Sequence, residues 1–295
     1  MNEIERKTWQ AEVLDRIFEL LAAAPDIAES LIFKGARVLN LHLGPGSRQS
    51  YDLDSNLSND FLQRYPQLDD QRRWLEAEIF RHVHRGFERE DPVRYRLDRI
   101  TVEARPPRSH PRGWDAFKVI LGVLDNRRPS RGLPRLEIDV VAPEELSETS
   151  VVSLDHSGHL IRAYSLERIA GEKPRAFLQS LPAYITKIDR KPRSQRVKDV
   201  YDLARILNAR PISDKVFWEA AGRQFRLACR SRFVDCSGIA TFEQELTATR
   251  MDYEQSKVLP KDIGFDEAWT GLRAIIGLWT DVGIVPLEFP LPEKG

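Results

Sequence analysis

Cysteine is scarce in this chain. Two stand among 295 residues, Cys229 and Cys236, with no histidine or third cysteine beside them. Their spacing fits no zinc motif and implies no disulfide framework, so a reduced, cytoplasmic setting is expected. Net charge is absent as well, with Lys+Arg 45 against Asp+Glu 45. Global electrostatics therefore give no case for nucleic-acid binding, and any such contact must come from a local patch. No apolar run approaches the roughly 18 residues that a membrane span requires. The opening MNEIERKTWQ is polar and charged, unlike a secretory signal, and no membrane association is expected. No internal repeat is visible. What is present is a 41% share of hydrophobic residues, enough for a core in one large domain or two modest ones.

The stretch that organises the chain is 31–57, LIFKGARVLNLHLGPGSRQSYDLDSNL. Leu31 to Phe33 is a short apolar run, Lys34-Gly35 a turn, Ala36 to Leu43 a helix and Gly44 to Ser47 a loop. With 51–57 as a strand, the side-chain period of two puts Asp52 and Asp54 on one face. Two close carboxylates repel unless a cation lies between them. A hard divalent ion such as magnesium takes oxygen ligands and leaves positions for phosphates. An isolated Asp-x-Asp is as readily a solvated strand end. Here Gly35 sits where a strand becomes a helix, a place where backbone N–H groups can meet phosphate. Lys34 adds a positive charge, and Ser50 lies two residues ahead of Asp52.

Trp9, Val13, Ile17, Leu20 and Leu21 give helical spacing over 6–24. A second helix is predicted over 69–89, with Trp74, Ile79, Val83 and Phe87 as its apolar stripe and end charges that suit the helix dipole. His82 and His84 lie on it two residues apart, so they diverge and form no shared metal site. Strands are expected at 95–103, 115–124 and 135–141. In the last, Leu136, Ile138 and Val140 face one way and Glu137 and Asp139 the other. The loops at 106–113 and 125–132 are basic and rich in proline and arginine; simple solvation explains them, and a phosphate-backbone contact is the sharper alternative.

Residues 143–160 are polar and mixed. Beyond them the pattern turns helical, with Ser165 as N-cap and Glu167 in the first turn. Pro174 should kink or end this helix. A helix capped by Ser194 would bury Val197, Tyr201, Ala204 and Leu207. On its own it is an amphipathic helix with surface ion pairs such as Lys198 with Asp202. The basic run Lys187, Arg190, Lys191, Arg193, Arg196 and Lys198 is the best local candidate for a triphosphate or an RNA backbone. Residues 212–283 read as helical throughout, with their aromatics as core, and 285–292 as an extended, proline-rich tail.

Lys34-Gly35-Ala36, followed by Arg48-Gln49-Ser50-Tyr51-Asp52-Leu53-Asp54, resembles the opening motif of the AbiEii/AbiGii toxin family. These are minimal nucleotidyltransferases of the DNA polymerase β-like superfamily, and they show Lys-Gly-Gly and then Arg-x-Ser-x-Asp-x-Asp. Ala36 departs from the second glycine. Ser165-Leu166-Glu167 with Glu172-Lys173, and then Lys198-Asp199-Val200-Tyr201-Asp202-Leu203, resemble later family segments in the family's order. Pro174 departs from the apolar residue that usually follows the lysine.

The resemblance implies an α+β fold: a minimal nucleotidyltransferase domain over 1–163, with a mixed sheet flanked by helices, then a helical C-terminal domain over 164–295 that contributes to the active site. It implies that Asp52, Asp54 and Asp139 hold Mg2+, two ions, with Glu137 as the fallback for Asp139. Lys34, Gly35, Ser50, Lys173 and Lys198 would bind the NTP substrate, and Asp199 would orient or deprotonate the acceptor. The implied reaction transfers a nucleoside monophosphate and releases pyrophosphate, with tRNA 3′ ends as the leading acceptor. The implied setting is a toxin–antitoxin or phage-defence system with a cognate antitoxin protein. Transfer to a small molecule or a protein side chain, or a non-catalytic binding role, are the alternatives.

Overall fold

The structure, a computed structural model, describes residues 1–44, 50–108, 110, 112–128, 132–191 and 194–292. Helices α1 (Glu3–Ala22) and α2 (Pro25–Ser30) precede β1 (Leu31–Lys34), α3 (Gly35–Leu43) and β2 (Leu53–Leu57). Helices α4 (Asn59–Arg64) and α5 (Leu68–Glu88) precede β3 (Tyr95–Ala104), β4 (Ala116–Asp125) and β5 (Leu136–Val141). Strands β6 (Val151–His156) and β7 (His159–Tyr164) follow. All seven strands form one mixed sheet in the order β3-β4-β5-β2-β1-β7-β6. Strand β2 is parallel to β5 and β1 is parallel to β7, while β1–β2, β3–β4 and β4–β5 are antiparallel.

Alternation decides which face of the sheet is buried. Phe117, Val119, Leu121 and Val123 on β4 and Leu136, Ile138 and Val140 on β5 are all buried, and the residues between them are not. Helix α5 packs on β3 and α1 on α5 and β7. Together they bring Val13, Leu14, Ile17, Leu75, Ile79 and Val83 into the core, each such side chain contributing about 1.5–3 kcal/mol when fully buried. Trp9 Nε1 donates to the buried Asp125 at 3.0 Å, which leaves neither polar group unpaired. Leu75, not Trp74, completes the buried stripe of α5; Trp74 is half-buried and meets Phe61 edge-on at 4.8 Å.

The mixed segment at 143–160 conceals the last two strands. Ser157 and Gly158 carry φ of 55° and 82°, the left-handed pair of a two-residue type I′ hairpin turn. That turn sends β7 back to lie beside β1, with Phe33 opposite Ala163.

The chain divides into two compact units. The first takes in Met1–Leu41, most of the chain up to Pro143, and Val152–Tyr164; the second is built mainly from Ser165 onwards, joined by Glu144–Val151. The second unit contains α6 (Leu166–Leu178), α7 (Pro182–Lys187), α8 (Val197–Ala209), α9 (Lys215–Arg232), α10 (Ile239–Glu243), α11 (Leu246–Gln255) and α12 (Phe265–Asp281).

Two expectations need correction here. Helix α6 runs unbroken through Pro174. Interior proline costs about 3 kcal/mol, and burial of Ile169, Phe177 and Leu178 on either side of it offsets that. Gly171 contributes too, since a Cβ there would lie 2.5 Å from the Phe225 backbone nitrogen on α9. Residues 212–283 are not helical throughout: the chain leaves helix at Phe233, which has a left-handed φ of 56°, and again after Gln255. The proline-rich end is non-helical, as expected, and is held in place: Leu287 and Cys236 exchange backbone hydrogen bonds of 2.8 and 3.0 Å, and Val285 and Leu287 are buried.

Candidate active site

The sheet register brings four charges into one row. Lys34 on β1 faces Asp54 on β2, Asp54 faces Asp139 on β5, and Asp139 faces Lys118 on β4. Paired residues on neighbouring strands share a face, so the row reads Lys–Asp–Asp–Lys across the side of the sheet opposite the apolar core. All four side chains are half-buried. Lys118 Nζ binds Glu137 at 2.5 Å and stands 3.9 Å from Asp139. Burial raises the Asp139 carboxyl above its ordinary value; Lys118 opposes this, while the nearby charges of Asp52 and Glu137 add to it.

Strand β2 begins at Leu53, so Asp52 sits on the bend just before it and not within a strand from residue 51. The bend is tied from two sides. Ser50 Oγ donates to Asp52 Oδ1 at 2.7 Å. Arg37, on α3, donates to the carbonyls of Ser50 at 2.8 Å and Asp52 at 3.2 Å, and also bonds Ala11 O and Asp15. It is 7% exposed. Burial pulls its guanidinium down to about 10, against the opposing effect of Asp52 and Asp54, so it stays charged at neutral pH.

Gly35 opens α3 with φ +80°, and a Cβ at this position would lie 2.3 Å from Asp54 Oδ2. Glycine is thus required both by the backbone and by the carboxylate lying over it. Lys34 Nζ stands 5.6 Å from the ring centre of the fully buried Tyr164 on β7. Asn56 donates to the hydroxyl of Tyr164.

In the helical unit, Lys173 on α6 is not an ordinary surface lysine. Its Nζ donates to Asp202 at 2.6 Å and to Asp199 at 3.2 Å, both on α8, and all three residues are buried. Asp202 is therefore an internal partner of Lys173 and not half of a surface pair with Lys198. Arg196 closes on Asp199 at 2.5 Å. Burial alone would raise the Asp199 carboxyl, yet Arg196 and Lys173 together hold it well below the usual range. A carboxylate held so low is a poor proton acceptor, and its surroundings suit orienting better than deprotonating. Lys198 is half-buried on the first turn of α8. Arg48 and Arg193, which the sequence also singles out, lie outside the described residues.

Sequence reasoning missed Arg37, Lys118 and Tyr164. Lys118 could have been found as the lone cation in the apolar strand AFKVILGVL. Arg37 carries no signal short of the fold. One further cluster, Asp26, Glu78 and His82, brings three ligand atoms within 4.8 Å of one another. Arg81 already bridges Asp26 and Glu78, so those charges are neutralised from within.

The sequence matches, over residues 19–273, the family described as nucleotidyl transferase AbiEii toxin, type IV TA system. No curated protein matches it significantly. Among solved structures, JHP933 from Helicobacter pylori is 14% identical with a TM-score of 0.53, covering 96% of this chain and 94% of that one. A candidate nucleotidyltransferase from H. pylori is 13% identical with a TM-score of 0.50, covering 96% and 97%. At such identity the likeness speaks for the fold. No helix among the described residues is long and apolar enough to cross a membrane. The match over most of the sequence, on a chain whose sheet brings Asp54 and Asp139 side by side above Gly35, means that this chain belongs to the AbiEii nucleotidyltransferase toxin family of the type IV toxin–antitoxin systems.

Proposed function

We propose that the chain transfers a nucleoside monophosphate from an NTP to the 3′ end of tRNA, as the toxin of a pair whose antitoxin protein restrains it, in phage defence. The observation that carries this reading is the meeting of Asp54 and Asp139 on adjacent strands, with Asp52 on the bend beside them. Their donor set is all carboxylate oxygen, the set a hard divalent cation takes. Burial first, and then the charges of Asp52 and Glu137, raise Asp139, and a bound cation would offset both. These residues fit magnesium, and Asp52, Asp54 and Asp139 would hold two ions. When bound, the metal supplies charge for the phosphates and acidity for the attacking hydroxyl.

In the transfer, the acceptor oxygen forms a bond to the α-phosphorus. The bond from that phosphorus to the bridging oxygen breaks, pyrophosphate leaves with the electron pair, and the hydroxyl proton passes to solvent. Gly35, lacking a side chain, leaves the room over the start of α3 that the Asp54 carboxylate occupies. Ser50 and Arg37 fix the bend that aims Asp52. Lys34 neutralises phosphate charge from the β1 side. Lys173 and Lys198 take the charge-neutralising role that the family resemblance implies for them, and Asp199 fixes Lys173.

The test is to incubate the protein with magnesium, each labelled NTP in turn and total tRNA. Label on tRNA that disappears with Asp52→Ala is the expected result. Label on the protein itself would move the acceptor to a side chain, and label on neither would sink the reading.

A further inference from the structure

The helical unit carries a cavity of about 640 Å³ that shares only Lys198 with the transfer reading. Its walls come from α7, the start of α8 and the end of α11, all within that unit. Arg190, Lys191, Arg196 and Lys198 line it, against a single carboxylate, Asp252. Arg196 and Val197 also bring the first turn of α8 to the wall, and no side chain caps that 13-residue helix. Arg196 is already bonded to Asp199 in that first turn, so the positive charge toward the cavity comes mainly from Arg190, Lys191 and Lys198. The remaining wall is mixed: Ile185, Ile188, Val197 and Val258 are apolar, and glutamine and serine side chains lie among them.

Size and chemistry together narrow the occupant. A cavity of this volume falls in the range of small-molecule sites, roughly 300–1,000 Å³, and is too roomy for a bare phosphate. Excess positive charge calls for an anion, and the apolar residues among polar donors and acceptors suit a flat body with a hydrogen-bonding edge attached to it. A nucleotide has both parts, a phosphate and a base that packs on apolar side chains. We propose that this cavity binds a nucleoside phosphate, with the phosphate held by Arg190, Lys191 and the start of α8 and the base against Ile188 and Val258. The site is built without Asp52, Asp54 or Asp139; it shares Lys198 with the transfer reading, and the phosphate-holding Arg190 and Lys191 lie outside that reading. The nucleotide could be free or could be the end of a polynucleotide; both present the same chemistry.

Binding in the presence of EDTA tests this, because clustered carboxylates without a metal repel phosphate whereas a basic cavity does not. The full-length protein is titrated with a fluorescent single-stranded 12-mer oligoribonucleotide and, separately, with fluorescent ATP. The titrations are repeated on Arg190→Glu/Lys191→Glu. Both residues are exposed, and a matched thermal melt checks that the variant is folded. We expect binding of at least one probe, weakened tenfold or more in the variant, with a shallower salt dependence for the oligonucleotide. Preference for the 12-mer assigns the site to a polynucleotide end, and preference for ATP assigns it to a free nucleotide. Absence of binding by both probes, or binding indifferent to the double substitution, overturns the proposal. Failure of the transfer reading is distinct: no label would reach any acceptor with magnesium, while cavity-dependent binding in EDTA would persist.

Discussion

Replacing Gly35 with alanine is the most incisive perturbation of the carboxylate site. The new Cβ would lie 2.3 Å from Asp54 Oδ2, where ordinary contact begins at 3.4 Å. The carboxylate must therefore retreat by more than 1 Å or the start of α3 must shift. Alanine is also strained at φ +80°, at a cost of about 1–2 kcal/mol. The melting temperature should fall by about 2–8 °C. The effect on chemistry should be larger, because a misplacement of about 1 Å can cost on the order of 100-fold in rate. Two assays separate the effects: thermal melting with and without magnesium, and initial rates of label transfer. We expect a folded protein whose melting temperature no longer rises with magnesium and whose transfer is about 100-fold slower. A variant that transfers within about threefold of the parent rate would refute the contact between Gly35 and Asp54 as a determinant of the site.

Arg37→Met should remove the Arg37 donor from the buried carbonyl of Ser50, at about 1–3 kcal/mol, and slow transfer as the bend loosens; a chemical-denaturation midpoint equal to the parent's would contradict this. Lys173→Met strips a cation from Asp199 and Asp202, and loss of one partner of a buried charge cluster costs about 3–5 kcal/mol. Urea unfolding reads that loss directly, and a change under about 0.5 kcal/mol would return the cluster to minor importance. For Asp139, the native state holds its proton more tightly than the unfolded chain. Metal-free protein therefore loses stability as pH climbs from the ordinary carboxylate value through the raised one. Asp139→Asn should remove that part of the pH dependence when melts in EDTA are compared across the acid range, and identical curves for the two proteins would count against it.

The sequence was most informative where chemistry and periodicity coincide. The alternation of Leu136, Ile138 and Val140 against Glu137 and Asp139 survives intact in β5. Ser165 caps its helix as its residue type predicts, accepting from the Arg168 backbone at 3.2 Å. The hairpin at 151–164 escaped because its strands carry mixed polar residues on half-exposed faces, although Ser157-Gly158 is itself a hairpin turn signal. Pro174 misled because local propensity yields to packing, here the close approach of Gly171 to α9. Arg37 was out of reach for another reason. Its partners Ala11, Asp15, Ser50 and Asp52 lie on both sides of it in sequence, and only the assembled fold shows that one side chain serves them all.

The Lys–Asp–Asp–Lys row has a consequence for how the chain comes to life. Its members arrive from β1, β2, β4 and β5, and the two aspartates meet only once β5 has docked against β2. A slip of one residue at that junction would turn Asp139 into the core and Ile138 outward. A nascent chain that has reached Asp52 and Asp54 but not yet Asp139 has only part of the constellation. The site therefore requires β5 to stand in register against β2, and any nucleotidyl transfer that depends on it is absent from a chain in which that junction is unmade or slipped.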